Sequence, residues 1–212
     1  MTFPSPNFGD RRGGATPSLV VLHYTAISCE AARARLCDPE AEVSAHWLIS
    51  QTGEAEALVD ERHRAWHAGA GGWAGLDDVN SHSIGIELAN DGTQPFAEPQ
   101  MAALERLLAA IMARWNIPAH RVIGHSDMAP SRKSDPGRHF DWRRLALQGL
   151  SVWPEPAAEA PLAASLTAFG YPDAPDDVRL IAFRLRFRPW ACGPEDATDR
   201  ALAAGLVARS PV

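Results

Sequence analysis

At 212 residues, 46% hydrophobic and 22% charged, the chain can bury one substantial core with a small appendage, and its make-up is that of an ordinary globular protein. A net charge of −6 leaves no excess of lysine and arginine to displace counterions, which excludes phosphate-backbone binding as the main activity; no nucleic-acid partner is expected. No apolar run reaches membrane-span length and residues 1–7 (MTFPSPN) carry no leader signal, so no membrane span is expected and the compartment is read as cytoplasmic, or as the envelope if a leader was removed.

In chain order, Leu19-Val20-Val21-Leu22-His23-Tyr24 is a continuous apolar run that reads as a buried strand ending in a histidine. Residues 28–37 (SCEAARARLC) read as a helix, and Cys29 and Cys37, like the distant Cys192, fall in no CxxC pair and read as free thiols in a reducing compartment. Residues 45–50 and 56–59 flank Gln51-Thr52-Gly53 and predict a hairpin. Residues 68–80, rich in Gly, Ala and Asp, predict a long ordered loop of the kind that carries function. A second buried strand follows at 83–89 with a carboxylate, Glu87, embedded in it.

Apolar groups at Met101, Leu104, Leu107, Leu108, Ile111 and Met112 predict a helix over 98–115, stopped soon after by Pro118. Arg121-Val122-Ile123 favours a strand, which would leave His125 at its end, and Asp141-Trp142-Arg143-Arg144-Leu145 opens a short helix. Strands alternating with helices make residues 1–151 an α/β domain. Residues 152–161 (VWPEPAAEAP) have linker composition. Beyond them, 162–171, 175–189 and 197–209 read as three short helices, so 162–212 is expected to form a small helical domain.

The densest chemistry lies in residues 124–137 (GHSDMAPSRKSDPG), where a histidine, a lysine and an aspartate sit among prolines that force a shaped loop. Strand ends therefore offer His23, Glu87 and His125, and this loop adds Lys133 and Asp135. Two imidazoles and a carboxylate are a sensible catalytic zinc set, with a fourth position left for water. On residues alone, His46, His67 and His82 compete for that role, His63, His120 and His139 read as surface residues, and a polar surface loop stays open as the alternative. No HExxH occurs, which removes the commonest helical zinc-protease signature.

Five stretches, at 20–25 (VVLHYT), 43–46 (VSAH), 65–69 (AWHAG), 80–88 (NSHSIGIEL) and 124–137, follow one another over about residues 18–145. Together they resemble the zinc-dependent N-acetylmuramoyl-L-alanine amidases of the AmpD/AmiD kind, relatives of phage lysozyme-type amidases and peptidoglycan recognition proteins. The resemblance implies a central mixed sheet flanked by helices. Residues 166–171 (LTAFGY) and 182–189 (AFRLRFRP) are similar to the small peptidoglycan-binding-like helical domain of the AmiD branch.

Residue by residue, the resemblance implies Zn²⁺ held by His23, His125 and Asp135, with Glu87 as catalytic carboxylate and Lys133 as catalytic lysine. His46 matches a family histidine that is not a ligand. Trp66, His67 and Asn80 are implied substrate-groove residues. The implied partners are peptidoglycan fragments or anhydro-muropeptides, cut at the amide between N-acetylmuramic acid and L-alanine. The competing classes are a muropeptide-binding module without catalysis and a zinc peptidase acting on the stem peptide.

Overall fold

Two apolar runs decide the architecture by pairing with each other. The computed structural model describes residues 4–209. Residues 1–3 and 210–212, where the leader reading begins and the expected helical domain ends, lie outside the described residues. In chain order the elements are β1 (Phe8–Gly9), β2 (Leu19–Tyr24), α1 (Cys29–Leu36), β3 (Trp47–Ile49), β4 (Ala55–Ala57), β5 (Arg64–Ala65), α2 (Val79–His82), β6 (Ser83–Leu88), α3 (Glu98–Trp115), β7 (Val122–Gly124), α4 (His125–Met128), α5 (Trp142–Leu147), α6 (Leu162–Phe169), α7 (Asp176–Phe187) and α8 (Ala197–Arg209).

The main sheet runs β4-β3-β6-β2-β7, with β2 parallel to both β6 and β7, β3 parallel to β6, and β4 antiparallel to β3. It is the mixed α/β sheet flanked by helices that the resemblance implies. Because side chains alternate across a strand, β2 feeds two cores. Val20 and Leu22 join Ile84, Ile86 and Leu88 against Leu104, Leu108 and Ile111 of α3. Leu19, Val21 and Ile123 face the other way, into a cluster with Trp73 and with Leu166, Phe169, Phe183 and Leu206 of α6, α7 and α8. The C-terminal helices thus cover the second face of the sheet.

Local signals explain the ends. Ser28 caps α1 by accepting the Ala31 N–H, Asp141 caps α5, and α3 closes at Asn116 in the left-handed region, φ 54°. His125 is not the last residue of a strand: β7 stops at Gly124, and His125 opens a single helical turn inside the predicted loop. That turn forms because Asp127 Oδ2 accepts the Gly124 N–H at 2.8 Å. Cys29, Cys37 and Cys192 are free thiols. No helix among the described residues is long and apolar enough to cross a membrane.

Candidate active site and metal centre

Three parallel strands deliver their carboxyl ends to one edge of the sheet, where α/β proteins place ligands. The register sets His23 directly beside Glu87 and Val21 beside Gly85, so His23, Glu87 and Gly85 share the face that the C-terminal helices cover lower down. The chain then leaves β7 and turns through α4 and residues 129–137 to bring Asp135 back. His23 Nδ1, His125 Nδ1 and Asp135 Oδ2 converge, at 2.9 Å between the imidazoles and 3.0 Å from each to the carboxylate.

The protons of both rings are assigned by what lies behind them. His125 Nε2 faces the Ala68 carbonyl at 2.9 Å, so it must carry the hydrogen and Nδ1 is bare. The His23 proton is fixed through three groups. The Ser83 hydroxyl donates to the Val79 carbonyl at 2.6 Å, so its oxygen can only accept from His67 Nε2, 3.2 Å away. His67 Nδ1 is then an acceptor, and His23 Nε2, at 3.0 Å, donates to it. His23 Nδ1 is left bare as well.

Three unprotonated donors aimed at one another repel unless a cation lies between them. Ligands at about 2.0–2.1 Å around a tetrahedral ion stand roughly 3.3 Å apart, close to the observed spacing, so the residues fit a divalent metal. The backing of each ring by a carbonyl or a histidine is the support that holds a ligating imidazole in one tautomer. Among the described residues these three are the group of His, Cys, Asp and Glu side chains placed to hold a metal ion.

The electrostatics agree. Burial, aided by the neighbouring His125, lowers the His23 pKa to about 4, so the ring is neutral at physiological pH. Burial and then the charge of Asp135 push Glu87 up to about 8, with Lys133 opposing, and Glu87 Oε2 is buried without a hydrogen-bond partner. A carboxylate so placed takes and returns protons near neutrality.

A cavity of about 430 Å³ holds these groups together with Trp66, His67 and Lys133. Lys133 is exposed at its wall and not part of the buried cluster. Asn80 is brought to the site but not into the cavity wall: its Oδ1 accepts the N–H groups of His67 at 3.0 Å and Ala68 at 2.8 Å and so braces that loop. His46 is fully buried, accepts the Gly85 N–H at 2.9 Å on Nδ1 and faces the His63 carbonyl with Nε2. It is a framework residue, away from the cluster.

Sequence reasoning passed over three contributors. Ser83 sets the proton order behind His23. Gly85 leaves room for the His67 ring, since a Cβ there would lie 2.4 Å from its Cγ. Arg132 ties the 129–137 loop to the 66–70 loop through the carbonyls of Ala68 and Ala70. Only the bare glycine in an otherwise apolar strand hinted at a close approach.

The segment that carries these residues is similar to known proteins. The family described as N-acetylmuramoyl-L-alanine amidase matches residues 13–138. The Escherichia coli N-acetylmuramoyl-L-alanine amidase AmiD is 35% identical over 89% of this chain and 82% of its own length. The Haemophilus influenzae 1,6-anhydro-N-acetylmuramyl-L-alanine amidase AmpD is 35% identical over 66% of this chain and 86% of its own. Among solved structures, E. coli AmiD in complex with anhydro-N-acetylmuramic acid-L-Ala-D-gamma-Glu-L-Lys superposes with a TM-score of 0.84 at 34% identity, covering 91% of this chain and 89% of that one. Pseudomonas aeruginosa AmpDh3 in complex with anhydromuramic pentapeptide gives 0.84 at 31% identity, covering 96% of each.

Proposed function

We propose, from the premise that this chain belongs to the N-acetylmuramoyl-L-alanine amidase family, that it hydrolyses the amide joining N-acetylmuramic acid to the L-alanine of the peptidoglycan stem peptide, the 1,6-anhydro sugar included, with zinc held by His23, His125 and Asp135. The observation that carries the reading is the convergence of three bare donors, 2.9–3.0 Å apart, next to Glu87, whose Oε2 is buried without a partner.

Zinc, when bound, polarises the amide carbonyl and makes its water acidic near pH 7. Borderline nitrogen donors with one carboxylate suit that ion, and amide hydrolysis asks for no redox change. Glu87, lining the cavity, receives the proton of the attacking water at its carboxylate and returns it to the leaving amine. Lys133, at the cavity wall, stabilises the negative oxygen that develops on the carbonyl. Trp66 lines the groove, while Asn80 and His67 act by holding the wall in place. Residues 162–209, reached through the 152–161 linker, work as a C-terminal helical part packed on the sheet through one shared apolar cluster.

The substrates are anhydro-muropeptides or other peptidoglycan fragments, in cell-wall degradation or recycling. We place the enzyme in the cytoplasm, a reading supported by its three free thiols. Glu87→Gln tests the chemistry: the variant is expected to keep its metal and lose amide cleavage by at least about 10²-fold. A variant that cleaves at the wild-type rate with metal bound contradicts the role.

A further inference from the structure

Two buried polar side chains of the C-terminal segment play no part in the chemistry above, yet both reach the turn that carries His125. Arg186, on α7, is 2% exposed. Its guanidinium lies 4.3 Å from the ring centre of Trp142 and 4.8 Å from that of Phe187. One nitrogen donates to Asp127 Oδ2 at 2.6 Å; the other donates to the Val122 carbonyl at 3.0 Å and to Ser151 Oγ at 3.2 Å. The Tyr171 hydroxyl, just beyond α6, donates to Asp127 Oδ1 at 2.6 Å. Both oxygens of Asp127 are therefore held from the C-terminal side, and the same Oδ2 closes α4 on the Gly124 N–H.

The Asp127–Arg186 ion pair is 1% exposed on each side. Apolar side chains of equal volume would stabilise such a place as well or better, so stability alone does not explain a buried pair here. Its distinctive property is directional. Arg186 grips Val122 and Asp127 at once, the residues three before and two after His125, and so fixes the angle between β7 and the turn. That angle aims His125 Nδ1.

We infer that the C-terminal helices brace the metal centre, with Arg186 and Tyr171 as positioning residues that act on His125 through Asp127 and Val122. The inference rests on the reading of His23, His125 and Asp135 as metal ligands. It assigns the C-terminal segment a task inside the catalytic unit, whether or not it also touches glycan.

The test is cobalt binding by the full chain, followed by visible absorption and by competition with a chelator. Tyr171→Phe removes one hydrogen bond and keeps the ring. The pair Asp127→Asn with Arg186→Met removes both charges and keeps an acceptor for Gly124. Leu206→Ala, in the same apolar cluster on α8, is the control for lost stability. Tyr171→Phe and the double variant should bind cobalt about tenfold more weakly, with a changed absorption band and a fall in kcat at nearly constant KM. Leu206→Ala should lower Tm and leave cobalt affinity alone. Wild-type affinity in Tyr171→Phe, or affinity that tracks Tm across all variants, overturns the brace. If the wild type takes up no cobalt, the ligand assignment falls first and the brace with it; should the double variant not fold, Tyr171→Phe alone decides.

Discussion

Substituting Gly85 by alanine should weaken metal binding without touching a ligand. The new Cβ would sit 2.4 Å from His67 Cγ and 2.5 Å from its Cδ2. Carbon atoms rest about 3.5 Å apart, so the ring must retreat by about 1 Å. The 3.0 Å bond from His23 Nε2 to His67 Nδ1 then opens beyond hydrogen-bonding range. Freed of its partner, the His23 imidazole can place its hydrogen on Nδ1, the atom that must stay bare. Losing the group behind a ligating imidazole typically costs 10–100-fold in metal affinity, or about 1.4–2.7 kcal/mol. Zinc competition against a chromogenic chelator should show that loss in Gly85→Ala and in His67→Ala. The double variant should be no weaker than His67→Ala, because both changes break one link. A folded Gly85→Ala with wild-type affinity, or losses that simply add, would refute the proton order deduced for this chain of contacts.

Three further outcomes follow from the same geometry. In metal-free protein Glu87 prefers its neutral form, with a pKa raised from 4.5 to about 8, so its contribution is fully present below about pH 4.5 and is lost as pH rises toward 8. The loss is at most about 5 kcal/mol, enough to lower Tm by roughly 10 °C or more, and Glu87→Gln should flatten that profile; parallel profiles would show that the carboxyl is not desolvated. Lys133→Ala should reduce kcat by about 10²–10³ with metal content unchanged, and retained activity would remove the lysine from the reaction. Asn80→Ala leaves two loop N–H groups without their acceptor and should cost about 1–3 kcal/mol in thermal unfolding; an unchanged Tm would mean that water replaces the amide.

The strands were legible because residues 19–24 and 83–88 are buried on both faces, and such strands read as unbroken apolar runs. Helix α3 was legible from its 3.6-residue period and the α1 helix from its composition. His23, Glu87, His125 and Asp135 stood out as chemistry misplaced in apolar or proline-rich surroundings, and the structure brings all four to one cavity. What stayed hidden depends on pairing between distant segments. The link from Ser83 through His67 to His23 exists only once β2 and β6 have a register. The bond between Asp127 and Arg186 spans 59 residues, and nothing local marks either side chain as buried. The helical turn at His125 hinged on an aspartate bonding back to Gly124, a contact that prolines nearby obscured.

The most direct measurement is product analysis after incubating the chain with a purified anhydro-muropeptide, with zinc and again with a chelator. The account predicts release of the anhydro-muramyl sugar and an intact peptide beginning with L-alanine, in the zinc-loaded sample alone. Cleavage within the peptide, or no cleavage by a protein shown to carry its metal, would contradict it.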